Sequence, residues 1–500
     1  MSENGHYMLS STAYCCVALH FLLGVVENIP IAPLLVLYER SICLQYYLKH
    51  DPSAIHGTRI EHDLCKISTI QKELAVVKGW KSFFDTLPVL LIGIIIGRYG
   101  DRYGRKLAMT ISISGVIASF TVVAVVCAFP FHIPTRYVWL SSICLLFGGG
   151  LYPATSLMWA IASQSVVEEH RSNVFYLVFS AFYVGELISS FIASLTTDIS
   201  PWIPYASAVI ALLLCLLVLT LMPTDSHVIA KRIPSQDIQS QLMEESNALL
   251  SESVSNLSGR GHVEDPPTSM DMGSPVGIAV TDSISSKKET RLLNVLSNSS
   301  LLAIIPAFLV CALRYTMLNI LMQYCYIRFD WKFSRTALFF SEAAIVNILL
   351  FSLILPNAVP WIKKRYNIPA KVFDRLTAEI FLCLLSSGAF ALGISPGWQF
   401  IPIAVLIYTS GFGSRVTSLS LASYWISEAS RAEFYAGISV LENIGHGVGD
   451  TMMQNIFAAV ADRTDRWLAT PFFLAAMLYA SSAACIIVTS RQNKTDSHVD

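Results

Sequence analysis

The sequence predicts an all-α polytopic membrane protein with twelve transmembrane helices in two six-helix halves. Three observations support this prediction: the composition is apolar, the apolar runs are long enough to span a bilayer, and a polar stretch divides them into two sets of six. Of 500 residues, 54% are hydrophobic and only 14% are charged, with a mean hydropathy of +0.55. A soluble chain carries about 25% charged residues, so much of this surface must face lipid.

The apolar runs give the number and order of the spans. A helix needs roughly 20 mostly apolar residues to cross about 30 Å of hydrocarbon. The predicted spans of the first half are 11–37, 79–97, 107–130, 138–163, 174–196 and 202–222. Those of the second half are 299–326, 336–362, 375–394, 400–426, 434–460 and 468–490. Residues 1–222 and 299–490 are therefore the two halves, with a linker at 223–298 between them and a tail at 491–500.

The linker between the halves is predicted to be disordered. It is rich in Ser, Asp, Glu and Pro and has no long apolar run, so it cannot bury enough apolar surface to fold alone. Within it, Glu245, Leu249 and Leu250 match the acidic dileucine pattern that vesicle adaptors bind. The alternative interpretation of these residues is one turn of an amphipathic helix.

The basic residues of the short loops predict the orientation. Lys and Arg are enriched in loops on the cytosolic side of membrane proteins. With the N-terminus in the cytosol, the cytosolic loops receive the basic clusters at 98–106 and 363–375. Both termini and the linker are therefore predicted to be cytosolic, in a plasma membrane or a vacuolar or endolysosomal membrane.

Several functional classes find no support in the sequence. The 34 basic and 35 acidic residues nearly cancel, so nucleic-acid binding has no electrostatic basis. No Cys/His cluster has metal-ligand spacing, and the loops offer no convergent nucleophile, acid or metal ligands for an enzyme. No cofactor is expected. The expected partners are lipid, a small organic substrate and protons, with a single chain as the transport unit.

Three cysteines suggest a disulfide on the outer side. Cys43 and Cys65 lie in the long loop after the first span, and Cys325 lies near the outer end of the seventh. Two of these three can pair in an oxidising compartment. The sequence does not decide which two.

An internal repeat supports two related halves. Residues 168–176 resemble 428–435, and at the same offset Gly185 and Glu186 align with Gly445 and His446. Both segments lie across the junction of the fourth and fifth spans of their half. Related halves around a central cavity are typical of alternating-access transporters.

The loop between the second and third spans carries the sharpest motif. Its residues run Gly97-Arg98-Tyr99-Gly100-Asp101-Arg102-Tyr103-Gly104-Arg105-Lys106. Gly97 and Gly104 allow a close backbone approach and a tight reversal, and Asp101 can meet the positive end of a helix dipole. The loop resembles the signature G-x-x-x-D-R/K-x-G-R-R/K of the major facilitator superfamily. The resemblance implies the family fold and a latch, made by Gly97, Asp101, Arg102, Gly104, Arg105 and Lys106, that holds helix 2 against helix 11 in one state.

A narrower resemblance concerns the branch of that superfamily with the proton-coupled folate transporters and their fungal relatives. It depends on the Cys-bearing first outer loop, on Glu186 and Arg415, and on the segment from Leu321 to Arg328. This resemblance does not specify a substrate.

Charged residues inside the spans are the candidate functional residues, because a charge at mid-bilayer costs about 2.5–3.5 kcal/mol on insertion scales. Glu186, His446 and Glu442 are candidates for proton coupling. Glu442 and His446 lie four residues apart on one helix face, and a carboxyl group kept from water can carry a proton. The candidates for the substrate cavity are Glu27, Arg314, Arg415 and Asp450. Each also has a structural interpretation, as an interfacial residue, an ion pair or an interhelical hydrogen bond.

Together these features predict a secondary active transporter of a small organic molecule that is proton-coupled and works by alternating access. One alternative is an exporter of secondary metabolites or toxic compounds within the same superfamily. The other is a membrane receptor or scaffold that does not transport.

Overall fold

The structure is a computed structural model that describes residues 11–55, 60, 62–165, 171–223, 299–426, 431–463 and 465–496. Within these ranges the regular structure is entirely helical. Most of the predicted linker, with its dileucine pattern, lies outside the described residues, as do both ends of the chain.

Six helical spans form the first half, numbered α1–α6. They are α1 (Ser11–Asn28 and Ile31–His50), α2 (Ser68–Tyr103), α3 (Arg105–Ala128), α4 (Thr135–Leu140, Ser141–Cys144, Leu145–Phe147 and Leu151–Gln164), α5 (Arg171–Thr196) and α6 (Trp202–Leu221).

Six more form the second half, numbered α7–α12. They are α7 (Ser299–Leu302, Ile305–Cys311 and Arg314–Phe329), α8 (Phe333–Thr336, Leu338–Ile348, Leu349–Ile354 and Leu355–Tyr366), α9 (Ala370–Ile394), α10 (Trp398–Phe400, Ile401–Ser410, Gly411–Gly413 and Ser414–Ser423), α11 (Arg431–Val460) and α12 (Asp465–Leu468 and Thr470–Asp496).

In the part of the chain that the structure describes, eleven helices are long and apolar enough to cross a membrane. The predicted span that falls short is α11, because Glu442, His446 and Asp450 lie in its middle turns. Such a helix must keep its polar face away from lipid. It does so by packing against α2 and α7.

The first two helices are longer than predicted. α1 continues to His50, and α2 begins at Ser68 and ends at Tyr103. The added turns of α2 are polar overall, yet Ile70, Leu74 and Val77 are fully buried in the core. Burial of these side chains stabilises helix in a stretch that hydropathy alone assigns to a loop.

We distinguish two ends of the helix bundle. The disulfide side carries the connections 51–67, 129–134, 197–201, 330–332 and 395–397. The motif side carries the turn at Gly104 and the turn at 367–369.

Every third helix is interrupted near its middle. α1 breaks at 29–30, α4 at 148–150, α7 at 312–313 and α10 at the 3₁₀ turn Gly411–Gly413. In α4, Gly149 and Gly150 adopt φ of +77° and +85°, which favour glycine. Broken helices in transporters direct backbone groups into the space between the halves.

The close packing of α1 on α5 recurs in the second half. A Cβ on Gly185 in α5 would lie 2.4 Å from the carbonyl oxygen of Phe21 in α1. A Cβ on Gly445 in α11 would lie 2.8 Å from the carbonyl oxygen of Leu309 in α7. These two glycines are the pair aligned by the internal repeat, so the packing supports that alignment.

Candidate transport cavity

Tyr152 marks an open space inside the bundle. It lies one residue into the last segment of α4, just after the glycine break, and is 51% exposed. Its hydroxyl nevertheless interacts electrostatically with charges on three other helices, namely Glu27, Arg415, Glu442 and Asp450. The side chain therefore faces a cavity between the halves.

Glu186 is the most enclosed acid of this region. It is 0% exposed, and its Oε1 atom has no hydrogen-bond partner in the described part of the chain. The Tyr315 hydroxyl of α7 donates to its Oε2 over 3.4 Å, which is a long bond. No cation forms an ion pair with Glu186 among the described residues. An unpaired carboxylate is costly to bury, which sets Glu186 apart from Glu442, whose carboxylate has an ion-pair partner.

Glu27 lies near Glu186 because α1 and α5 pack through glycines. A Cβ on Gly24 would lie 2.5 Å from the Phe182 carbonyl oxygen, so the two backbones are in direct contact. Glu27 is one turn beyond Gly24 and interacts electrostatically with Glu186. The close packing of α1 on α5 thus brings two acids into the same region of the protein.

Arg415 and Glu442 form a bidentate ion pair between α10 and α11. Arg415 Nε donates to Glu442 Oε1 over 2.6 Å, and Nη2 donates to Oε2 over 2.8 Å. The Arg415 side chain remains 40% exposed. The guanidinium therefore has donor groups left for a ligand in the cavity.

Arg314 is held by backbone carbonyls at the two helix breaks of the second half. Its Nε donates to the Cys311 carbonyl over 2.8 Å and its Nη1 to the Phe412 carbonyl over 2.6 Å. The guanidinium also lies 5.2 Å from the centroid of the Phe412 ring. These contacts join the α7 break to the α10 break and favour a structural role for Arg314.

Polar side chains follow α11 toward the disulfide side. Glu442, His446, Asp450 and Gln454 recur every four residues and so share one face. His446 is half-buried, whereas Asp450 is 4% exposed. The stripe thus starts in the cavity and ends in closely packed protein.

The two halves contact each other on the disulfide side. Ion pairs join Lys66 to Asp330, Lys72 to Asp462 and, over 3.6 Å, Lys332 to Asp198. The ion pairs described on the motif side are each within one half, namely Arg105 with Asp101, Lys363 with Asp374 and Arg375 with Glu379. The structure is therefore closed on the disulfide side.

The motif loop forms a tight turn that is bound to α4 and α6. Arg105 donates to Asp101 over 3.0 Å and to the Ala160 carbonyl of α4 over 3.0 Å, and Lys106 donates to the Thr220 carbonyl of α6. Gly104 has φ +113° and makes the reversal.

Among the described residues, Gly97, the other glycine of the motif, has open space around it. A Cβ on Gly97 would meet no heavy atom within 4 Å. The described contacts of α2 with α11 lie further along both helices, at Gly79 and Thr86. The predicted latch on helix 11 stays a prediction, as does the role of the exposed Arg102.

The structure contains a disulfide between Cys43 and Cys65, and Cys325 is a buried free thiol. Gln71 of α2 donates to the Cys65 carbonyl over 3.2 Å and to Glu39 of α1 over 2.5 Å. The disulfide and these hydrogen bonds thereby fix the loop before α2, which carries Cys65, to α1 and to α2. The predicted placement of Cys43 in that loop was wrong, because α1 continues to His50 and contains Cys43.

Sequence reasoning missed three residues of this region. Tyr152 and Tyr315 are ordinary aromatic residues in a chain with 20 tyrosines, and nothing local distinguishes them. Lys78 was placed in the loop before α2, although its Nζ donates to Asn319 of α7 over 3.0 Å. The apolar residues Ile70, Leu74 and Val77 recur at helical spacing just before it, and this pattern was the available signal.

A family model and the curated relatives agree on the family. The model of the Major Facilitator Superfamily matches residues 67–450. The chain is 26% identical to "Efflux pump ustT" of Aspergillus flavus over 90% of this chain and 82% of the relative. It is 21% identical to "MFS efflux pump atnC" of Emericella nidulans over 94% of this chain and 86% of the relative.

Solved structures agree on the fold. The partially occluded inward-open xylose transporter XylE of E. coli superposes with a TM-score of 0.56 at 13% identity, over 95% of this chain and 97% of that one. A peptide transporter POT in complex with sulfate superposes with a TM-score of 0.56 at 13% identity, over 96% of this chain and 94% of that one. At this identity the likeness concerns the fold alone.

The expected placement in the proton-coupled folate transporter branch is not supported, since the relatives found are named efflux pumps. The features behind it were a cysteine-bearing loop, the charged residues Glu186 and Arg415, and the segment from Leu321 to Arg328. Such short features did not separate this branch from the efflux pumps, which share 26% and 21% of their residues with the chain.

Proposed function

Because the chain belongs to the Major Facilitator Superfamily and is a transporter rather than an enzyme, we propose that it exports a small organic molecule in exchange for protons. The direction is supported by the relatives that are named efflux pumps. The mechanism is alternating access, in which the cavity between the halves opens to one side of the membrane at a time.

The observation that carries the proton coupling is the isolation of Glu186. It is fully buried, its Oε1 has no partner in the described part of the chain, and the closely packed helix α1 carries a second acid, Glu27. Arg415, the cation of the same cavity, already has Glu442 as its ion-pair partner. A carboxyl group in this position accepts a proton when it is enclosed and releases it when the cavity opens to water.

The cavity supports a cargo with both polar and aromatic character. Tyr152 and Tyr183 lie near its charges, and the Tyr183 ring stacks on Phe351 of α8 with centroids 6.1 Å apart. Arg415 and Glu27 are the proposed polar contacts. A single chain holds both halves and the cavity, so one chain is the proposed transport unit.

The proposed orientation places the disulfide side outside and the motif side in the cytosol. The Cys43–Cys65 disulfide favours an oxidising compartment for its side, and the basic clusters favour the cytosol for the other. The structure would then be the inward-facing state, ready to load cargo from the cytosol.

The test is untargeted mass spectrometry of cells that express wild type, Glu186→Gln or Glu342→Gln. The Glu342 variant is the control, because it removes a carboxylate from a different span, α8, where the side chain is half-buried and not fully buried like Glu186. Wild type and the control should deplete the same compound from the cytosol, and an imposed proton gradient should accelerate the loss. Glu186→Gln should reach the membrane and lose the response to the gradient. Full gradient dependence in that variant would contradict the assignment.

A further inference from the structure

Helices α5 and α8 lie side by side across the boundary between the halves, and contacts on both sides of Glu186 fix their alignment. Toward the disulfide side, the Ser341 hydroxyl of α8 donates to the Leu187 carbonyl of α5 over 3.4 Å. Toward the motif side, the Tyr183 ring of α5 stacks on the Phe351 ring of α8 with centroids 6.1 Å apart. Residue numbers rise along α8 while they fall along α5, so the two helices are antiparallel.

Asn347 of α8 lies in the stretch between these two contacts. At a rise of about 1.5 Å per residue, it lies about 9 Å from Ser341 toward the motif side, and Glu186 lies about 1.5 Å from Leu187 in the same direction. Helical side chains lean toward the N-terminus of their own helix. In this antiparallel pair Asn347 leans toward the disulfide side and Glu186 toward the motif side, so the two side chains approach each other.

The face of α8 that carries Asn347 borders the Glu186 site at both ends. Phe340, Asn347 and Phe351 recur at helical spacing and share this face. The Phe340 ring stacks on the Tyr315 ring of α7 with centroids 6.5 Å apart, and Tyr315 is the residue whose hydroxyl donates to Glu186. Asn347 therefore occupies the middle of a row whose two ends contact neighbours of Glu186.

Both side chains have buried polar atoms without a partner. Asn347 is 0% exposed, and neither its Nδ2 nor its Oδ1 has a hydrogen-bond partner in the described part of the chain. The same holds for Oε1 of Glu186. Ser190, which is also unpartnered on this face of α5, lies one turn further toward the disulfide side. Buried polar groups are nearly always hydrogen-bonded, so the two facing groups are suited to bond to each other.

We propose that Asn347 is the amide partner of the Glu186 carboxyl group and a positioning residue for proton coupling. A primary amide both donates and accepts. A protonated carboxyl group would donate to Asn347 Oδ1, and an ionised one would accept from Nδ2. The other ionisable groups that face Glu186 are Glu27 of α1, Tyr315 of α7 and Tyr183 of α5 itself, and none of these is a cation.

The bond would report the proton of one half to the other half. It reverses direction when Glu186 gains or loses its proton, and it is charge-assisted, hence about twice as strong, only with the ionised carboxylate. Asn347 also lies two residues before the π-helical turn Leu349–Ile354 of α8, and such turns are frequent at functional sites. This inference rests on the proposed function, because it assigns a partner to the proton carrier.

Infrared difference spectroscopy tests the contact without a known cargo. The full-length protein in lipid is exchanged between acidic and alkaline buffer, and the carboxyl C=O band that Glu186→Gln removes is assigned to Glu186. In Asn347→Leu this band should move to higher wavenumber, because a carboxyl group that loses a hydrogen bond has a stiffer C=O bond. Asn357→Leu is the matched control on α8, since that exposed amide donates to the Leu353 carbonyl over 2.7 Å, and it should keep the wild-type band.

The possible results separate this contact from the proposed function. An unmoved band in Asn347→Leu would overturn the contact and leave proton exchange at Glu186 standing. An equal movement in Asn357→Leu would also overturn it, since the change would then be general to the protein. Spectra with no band that depends on Glu186 would overturn both the contact and the proposed proton coupling.

An exchange of the two groups tests the contact even where Asn347→Leu does not fold. Asn347→Asp places two acids in facing positions and should lower the melting temperature by several degrees. Its combination with Glu186→Gln restores one acid and one amide, so it should recover most of that loss. A double variant that melts no higher than Asn347→Asp alone would overturn the contact.

Discussion

The contact of α1 with α5 gives the most quantitative prediction, because it involves two backbones. A Cβ on Gly185 would lie 2.4 Å from the Phe21 carbonyl oxygen and 3.3 Å from Val25 N. Neither atom can move without shifting a turn of α1. Gly185→Ala should therefore lower the free energy of unfolding by about 1–3 kcal/mol, the usual cost of overpacking. Gly437 of α11 is the control, since a Cβ there would meet no heavy atom within 4 Å.

The assay is thermal unfolding of the purified protein in detergent. One kcal/mol corresponds to about 2–4 °C for domains of 150–250 residues, so Gly185→Ala should melt several degrees below wild type. Gly437→Ala should be neutral or slightly stabilising, because alanine has a helix propensity about 1 kcal/mol better than glycine. Equal melting temperatures for both variants would refute the claim that α1 and α5 are in backbone contact.

Three further predictions concern side chains. Glu442→Ala leaves the guanidinium of Arg415 without its bidentate partner and should lower the free energy of unfolding by about 1–2 kcal/mol. In an Arg415→Ala background the same substitution should lower it by less, and a double-mutant cycle of unfolding measures the difference. Tyr315→Phe removes a long hydrogen bond of 3.4 Å to Glu186. The response of the transport rate to the proton gradient should therefore change by less than about tenfold. A larger change would contradict this geometry. Replacing Cys43 and Cys65 by serine should lower stability by about 2–4 kcal/mol, and a reducing agent should lower the melting temperature of wild type but not of that variant.

The helical spans were predictable from the sequence because lipid imposes a length and a composition on each of them. Where burial in protein extends a helix beyond its apolar run, the prediction failed. α2 starts at Ser68, eleven residues before the predicted 79, because buried side chains such as Leu74 stabilise polar turns. The same error kept Lys78 out of the candidate list.

The candidate site was predictable as a set of charges and not as a set of contacts. Glu186 was identified because an acid in an apolar span is costly. Its isolation depends on which side chains of α1 and α7 face it, and a single sequence does not contain that information. Arg415 and Glu442 were both singled out, but the residues are 27 positions apart on different helices, so local spacing did not show their pairing.

The most direct test of the central claim is transport in proteoliposomes with the compound identified in cells. Wild type and Glu186→Gln would each be assayed for gradient-driven accumulation and for exchange of labelled against unlabelled compound without a gradient. The account predicts that Glu186→Gln keeps exchange, because both halves still alternate, and loses accumulation, because no proton is carried. Accumulation at the wild-type level in Glu186→Gln would contradict the role of Glu186 in coupling.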